Sequence, residues 1–377
     1  GARSHPRIGV LPSGLDRDPM LLVVRNGVLN LNSGVLVGAQ PEDLNTRCAA
    51  TVFDPDGKCP TWESHVRLVC SYPDGVTDME LVGFLQRWAG YSLTGLVREQ
   101  KFMFAHGDGG NGKNATIETL VEMLGSYAMK GSAKLLSMDR EHETLIADLA
   151  GARMVFVDET PGNVNDVRLK ELTGSRRLKA RKMFGNFYEF DAQCKIWIAG
   201  NRKPRVRDTS EGFWRRLDLF PFDMAIPSVS RVMDFPGLMR EEWPGILNWC
   251  LEGLKDYLDS GLAPPPRVVG AGDAYRNDED VFSQFVSETF DVRVLRENWV
   301  WIPNPVLHAL YKEWAQGMGV DRVPSMKTLA SDFDRCGFFR DGVVRRVHMN
   351  WPIDVSKAMR GWIGPPPLAL PSHLVWK

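Results

Sequence analysis

No apolar run in this sequence approaches the roughly 20 residues that a membrane-spanning helix needs, and nothing near the N-terminus has the pattern of a signal peptide. Both absences set the expectation of a cytoplasmic protein. An excess of one charge is lacking too: 46 Lys and Arg stand against 47 Asp and Glu, a net charge of −1. That excludes a uniformly basic coat but leaves room for a local basic patch. The six cysteines form no CxxC pair. Cys48, Cys59, His65 and Cys70 make a conceivable zinc set, but their gaps differ from common zinc spacings, and reduced structural thiols are the better reading. Internal repeats are absent as well. The chain begins Gly-Ala rather than Met, as expected either of a fragment of a longer protein or of a trimmed chain.

What is present is the composition of an ordinary globular protein, 377 residues long with 44% hydrophobic and 25% charged residues, enough for two or three domains. The stretch up to Pro19 reads as a tail or linker. Leu21 to Leu31 alternates around Asn26-Gly27, a hairpin signal. Leu81, Val82, Phe84, Leu85 and Trp88 predict an amphipathic helix over 78–91. Short apolar strands are expected at 101–105, 152–157 and 195–199, with a helix from about Ala115 to Leu124. This rhythm predicts an α/β fold with a mostly parallel sheet. The run Ala263-Pro264-Pro265-Pro266 marks a boundary. Beyond it, helices are expected at 281–290, 305–316 and 325–336. They are followed by strands 338–340 and 343–347 joined by a turn at Asp341-Gly342, the element order of a winged helix. Gly364-Pro365-Pro366-Pro367 reads as part of a loose tail.

Gly107-Asp108-Gly109-Gly110-Asn111-Gly112-Lys113-Asn114 lies between a strand and a helix, the context that a P-loop (Walker A) requires. Its glycines let backbone N–H groups turn toward phosphates, the helix start beginning near Ala115 adds its dipole, and Lys113 supplies a cation. Where a hydroxyl residue usually binds Mg²⁺ stands Asn114, whose amide oxygen can also coordinate a hard cation. Met154 to Val157 then ends in Asp158-Glu159. Asp158 suits the Mg²⁺ shell and Glu159 a general base that orients water. A third strand ends in Gly200-Asn201, whose amide suits contact with a γ-phosphate or the lytic water.

Between and after these lie Leu169-Lys170-Glu171-Leu172-Thr173-Gly174 through Gly185, then Pro204, then Gly212-Phe213-Trp214-Arg215-Arg216-Leu217 running into Pro221-Phe222. The order resembles the superfamily 3 helicase domain, an AAA+ P-loop fold, of phage, plasmid and poxvirus-type primase-helicases. Upstream, residues 24–29, 54–62 and 85–95 are similar to the small domain that precedes this helicase. The resemblance implies residues 1–95 as a tail plus a small N-terminal helical domain, 96–265 as the helicase domain, and 270–377 as a winged-helix-like domain and tail. It implies ATP and Mg²⁺ as cofactors, and a hexameric ring that draws single-stranded DNA 3′→5′ through a central pore. It further implies a phage or mobile-element origin in a bacterial host, and a primase or polymerase either upstream in the same chain or as a partner. Arg216 matches the arginine that reaches a neighbouring subunit's nucleotide, with Arg215 as runner-up. The segment holding Arg168, Lys170, Arg176, Arg177, Lys179, Arg181 and Lys182 against Glu171 matches a pore hairpin, in which Lys179, Arg181, Lys182 and Phe184 would contact DNA. Gly174-Ser175-Arg176 departs from the family's GGD at that point. Two alternatives stay open: a DNA-stimulated loader ATPase, and an origin-binding protein that uses ATP only to assemble, which Asn114 keeps alive.

Overall fold

A computed structural model describes residues 15–137, 142–183, 185–204, 206, 211–318, 323–347 and 357–369. The chain falls into two compact units, Gly1–Arg276 and Asn277–Lys377. Most of the tail expected before Pro19 lies outside the described residues.

In the first unit, β1 (Leu21–Val24) and β2 (Gly27–Asn30) form the expected hairpin, with β3 (Val35–Val37) added to β2. The two-residue turn is Arg25-Asn26, one position ahead of the Asn-Gly pair. Gly27 belongs to the strand, because a Cβ there would meet Val37 O at 2.4 Å.

The central strands are β4 (Phe102–His106), β5 (Ala128–Gly131), β6 (Met154–Val157), β9 (Lys195–Gly200) and β10 (Leu217–Pro221). Between β6 and β9, β7 (Arg177–Arg181) and β8 (Phe187–Asp191) pair as a separate antiparallel hairpin. The sheet order is β10-β4-β9-β6-β5, and every neighbouring pair is parallel, so the α/β expectation is met. Edge strand β5, Ala-Met-Lys-Gly, is too weakly apolar to have been anticipated.

An all-parallel sheet must be covered on both faces. Alternate residues divide accordingly: Met103, Ala105, Phe156, Trp197, Ala199 and Phe220 enter one core, while Phe102, Phe104, Val155, Ile196, Ile198 and Leu219 enter the other. Helices α1 (Pro60–Val69), α2 (Met79–Leu93) and α3 (Lys113–Leu124) contribute to the first core. The second holds side chains of α4 (His142–Ala147), α5 (Asp166–Gly174) and α6 (Glu211–Trp214). After β10 come α7 (Phe235–Leu238) and α8 (Trp243–Ser260), both on the first core. Residues of the hairpin β1–β2, α1 and α2 therefore share one core with the sheet.

Helix α2 is capped by Asp78, whose carboxylate accepts from Leu81 N, and is buried on nearly all sides from Leu81 to Leu93. It packs so closely on α8 that a Cβ at Gly90 would lie 2.2 Å from Leu254 N, and one at Gly253 would lie 2.1 Å from Gln86 O. Its C-terminal end is held by two buried cations. Arg153, just before β6, donates to Leu93 O at 2.5 Å and Leu21 O at 2.6 Å, with its guanidinium over the Tyr127 ring at 4.5 Å. Lys195, which opens β9, donates to Thr94 O and, at 2.9 Å, to Gln193 O, and lies over the Tyr91 ring. Burial lowers the pKa of both, that of Lys195 most. Carbonyls at the negative end of the helix dipole offset part of that desolvation.

The proline run 264–266 leads into α9 (Pro266–Glu279). The second unit contains α10 (Val281–Thr289), β11 (Val300–Pro303), α11 (Asn304–Gly317), α12 (Met326–Arg335), β12 (Phe339–Val347) and β13 (Lys357–Gly364), in a sheet of order β11-β13-β12. The three helices match the sequence periods. Two expectations need correction. The turn at Asp341-Gly342 does not form; 339–347 is one strand, and the irregularity is a register shift between Asp341 and Arg345 against β13. The Pro365–Pro367 region is not loose: Pro366 O accepts from Asp291 N at 2.9 Å, Phe290 bridges to Pro367, and Leu368 N donates to Thr289 O. Proline cannot donate, but its carbonyl accepts like any other.

The α2–α8 contact yields a stability prediction. Gly90→Ala should destabilise the protein by about 1–3 kcal/mol despite alanine's better helix propensity, because the obstructing atoms are backbone. Urea midpoints of the two proteins check this, and an unchanged midpoint would refute the close approach.

Candidate functional site

The loop Gly107–Gly112 leaves the end of β4 and enters α3. Gly110 and Gly112 take φ of 79° and 81°, which only glycine adopts without strain. At Gly107 a Cβ would sit 2.2 Å from both Phe222 O and Asn111 Nδ2. The loop is closed on itself around Lys113, whose Nζ donates to Gly107 O at 2.7 Å, Asp108 O at 3.2 Å, Asn111 Oδ1 at 3.0 Å and Asn201 Oδ1 at 2.9 Å. Asn111 Nδ2 in turn donates to Phe222 O at 2.8 Å. Burial lowers the Lys113 pKa, opposed by the charges of Asp108 and Asp158.

Asn201, at the end of β9, therefore stands beside Lys113, and at the end of β6 the Asp158 carboxylate accepts from Asn114 Nδ2. Asp158 and Glu159 are both exposed at that strand end. These residues fit a triphosphate with a divalent cation: phosphate oxygens can replace the acceptors that Lys113 now uses, and Asn114 and Asp158 place an amide and a carboxylate side by side. The other sequence candidates in the loop, Gly109 and Ala115, line the same cavity, and Gly109 has only Asn201 Nδ2 near its missing Cβ, at 4.0 Å.

Arg216 is not part of this cluster. It precedes β10, whose first residue Leu217 pairs with Phe102, whereas the loop follows His106, which pairs with Pro221. The two ends of that strand are about 13 Å apart. Arg216 donates to Gly212 O and its Nη2 approaches Gly174, the last residue of α5, while its Nε is buried without a hydrogen bond in the described structure. Arg215 is exposed.

The basic segment forms the β7–β8 hairpin. Leu178 and Ala180 point into the core, and Arg177, Lys179 and Arg181 alternate outward. The sequence alone sets these cations against one acid, but strand pairing brings two more to the same face: Arg177 faces Asp191, with an ion pair of 3.2 Å, and Lys179 faces Glu189. Arg181 faces Phe187, which is half exposed, and both Arg181 and Lys179 place their cations over that ring. Net positive charge is therefore left toward the tip, where exposed Lys182 closes a turn by accepting from Gly185 N. Phe184 lies outside the described residues. Phe187 was not singled out from the sequence, although its place across from Arg181 follows from the hairpin register.

A larger omission is the wall of the cavity beside the loop. A cavity of about 610 Å³ runs from the loop and Asn201 to Thr61, Ser64, His65 and Leu68 of α1, and to Ile226, Arg231 and Phe235. The spacing 61, 64, 65, 68 is a helical face and was legible as such. From the sequence, His65 stood out only as a conceivable zinc ligand. Among the described residues no group of three or more His, Cys, Asp or Glu can hold a metal. Cys59 and Cys70 are buried free thiols, Cys48 is exposed, and His65 Nε2 lies 2.8 Å from Thr116 Oγ1.

Burial drops the His65 pKa from 6.5 to about 4. The folded state then binds fewer protons than the unfolded state between those values, so stability present above pH 6.5 is lost as pH falls toward 4. The full effect is about 3 kcal/mol. Denaturant titrations of the parent and His65→Gln across this window should show a shallower pH slope in the variant; equal slopes would refute a neutral, buried His65.

Comparison with known proteins finds a D5 N-terminal-like family matching residues 3–70 and a family of unknown function (DUF5906) matching residues 105–216, the stretch from β4 to Arg216. The chain is 24% identical over 339 residues to a protein of Acanthamoeba polyphaga mimivirus named "Putative helicase", covering 84% of this chain and 35% of that one. It is 23% identical over 360 residues to "Putative helicase 022R" of frog virus 3 (isolate Goorha), covering 73% and 37%. The chain thus spans about a third of the length of these curated relatives. Among solved structures, the apo C-terminal region of NrS-1 aligns with a TM-score of 0.47 at 13% identity, over 85% of this chain and 80% of that one. From its amino-terminal segment through Arg216, the chain resembles the superfamily 3-type primase-helicases of phages and viruses.

Proposed function

We propose that the chain is the motor of an ATP-dependent replicative DNA helicase of a phage or related mobile element. The observation that carries this reading is the convergence at one sheet edge of Lys113 with Asn201 and of Asn114 with Asp158. ATP binds with its β- and γ-phosphates on Lys113 and on the N–H groups of the loop. Asp158 and the Asn114 amide oxygen would hold a Mg²⁺ ion, which would supply charge neutralisation at the phosphates. Glu159 orients the attacking water, and Asn201 follows the γ-phosphate.

Arg216, remote from this edge of its own chain, acts on the nucleotide of a neighbouring copy. A guanidinium supplied in this way is worth about 10³–10⁵ in rate in related triphosphatases. That need supports a closed ring, six subunits by the family resemblance, with an AAA+ core. Lys179, Arg181, Lys182 and Phe184 of the hairpin grip single-stranded DNA in the pore, and the resemblance implies 3′→5′ travel. The three-part division at 1–95, 96–265 and 270–377 belongs to the same reading. So do the winged-helix character of the last part and a primase or polymerase supplied upstream or as a partner. Among the described residues no helix is long and apolar enough to cross a membrane.

Three experiments test the reading. With ATP the protein should displace a strand from forked DNA, and Glu159→Gln should lower turnover at least about a hundredfold. ATP turnover without unwinding would favour a loader, and equal turnover in parent and variant would remove hydrolysis from the mechanism. Lys182→Ala should weaken single-strand binding and reduce its salt dependence while leaving turnover without DNA intact; unchanged affinity would reject the hairpin assignment.

A further inference from the structure

The phosphate loop is clamped from outside the motifs that define it. A Cβ at Gly112 would meet Val69 Cγ1 at 2.7 Å, His65 Cε1 at 3.1 Å and Ile226 Cδ1 at 3.2 Å, so α1 and the segment after β10 both press on the loop backbone. Ile226 N donates to Gly110 O at 3.0 Å. Arg231 donates through Nε to Ile226 O at 2.9 Å and lays its guanidinium over Gly110. Thr116 donates its only hydroxyl proton to Gly112 O at 2.8 Å, so it must accept from His65, which fixes the proton on Nε2. The His65 ring lies against Phe235 with centroids 4.1 Å apart and planes tilted by 33°. A path of direct contacts therefore joins α1, α3, the loop and the 226–235 segment.

The cavity between these elements has a volume of about 610 Å³ and reaches from the loop to α1 and the 226–235 segment. Besides the loop, it is lined by Leu68, Ile226 and Phe235 as apolar surface, with hydroxyls at Thr61 and Ser64. Such a lining suits a flat, uncharged ring system with hydrogen-bonding edges rather than more anionic groups.

We propose that the nucleoside half of the bound triphosphate lodges between α1 and residues 226–235. Helix Pro60–Val69, which lies within the D5 N-terminal-like match, then supplies one wall of the nucleotide site. The inference rests on the triphosphate reading of the loop and adds where the base is held. In this arrangement the amino-terminal segment is a structural part of the ATP site, in contact with Gly112 through His65 and with the helix after the loop through Thr116.

The test compares ATP with inorganic tripolyphosphate, which has the charge but no nucleoside, by calorimetry on the full chain. Ser64 is exposed and its Oγ donates only to Pro60 O, so Ser64→Trp fills the cavity from α1 without entering the core. ATP binding should weaken at least about tenfold while tripolyphosphate binding stays unchanged. Leu68→Trp, one turn further along the same face, should act in the same way and guards against a folding defect in the first variant. Unchanged ATP affinity in both variants, or an equal loss for both ligands, overturns the inference. Lys113→Ala separates this failure from a deeper one. A collapse of both affinities in that variant, beside unaffected Trp variants, leaves the triphosphate reading standing alone. No binding of either ligand by the parent sinks both.

Discussion

All five central strands run in one direction, and that constraint decides where chemistry can occur. Each strand delivers the residues after its C-terminal end to the same edge: β4 the phosphate loop, β6 Asp158 and Glu159, and β9 Asn201. Ligands of open α/β sheets gather at such an edge because the loops there are free to vary while the strands stay fixed. The opposite edge serves as an anchor. Arg153 and Lys195 enter their strands there and grip the carbonyl end of α2, which ties the amino-terminal helices to the sheet. Arg216 immediately precedes β10 at that second edge and so lies remote from its own chain's loop.

The loop is prepared electrostatically before any ligand arrives. Lys113 is buried and its ammonium is surrounded by carbonyl and amide oxygens rather than by a carboxylate partner. On the proposed triphosphate reading, exchanging those neutral acceptors for phosphate oxygens would leave no buried acid unpaired. Asn114 and Asp158 are already side by side, joined by a hydrogen bond from the amide nitrogen to the carboxylate.

Much of this was legible in the chain. The glycine spacing with Lys113, the apolar strands ending in Asp158 and Gly200-Asn201, and the helical period of α2 are local signals, and the structure agrees with them. The features that escaped depended on partners distant in sequence. The hairpin reads as basic along β7, and only the register with β8 shows Glu189 and Asp191 facing it. His65 and Ser64 carry no motif; their place beside the loop comes from packing of α1 on Gly112. Asp341-Gly342 reads as a turn because the pair favours one, but the partner strand lies beyond it and the irregularity is absorbed as a register shift.

In the second unit the last strand in sequence, β13, lies in the middle of the sheet, hydrogen-bonded to β11 on one side and β12 on the other. During synthesis this sheet therefore stays open until residues 357–364 leave the ribosome. A chain stopped before Lys357 would expose two unsatisfied strand edges at once, the kind of surface that pairs with other chains.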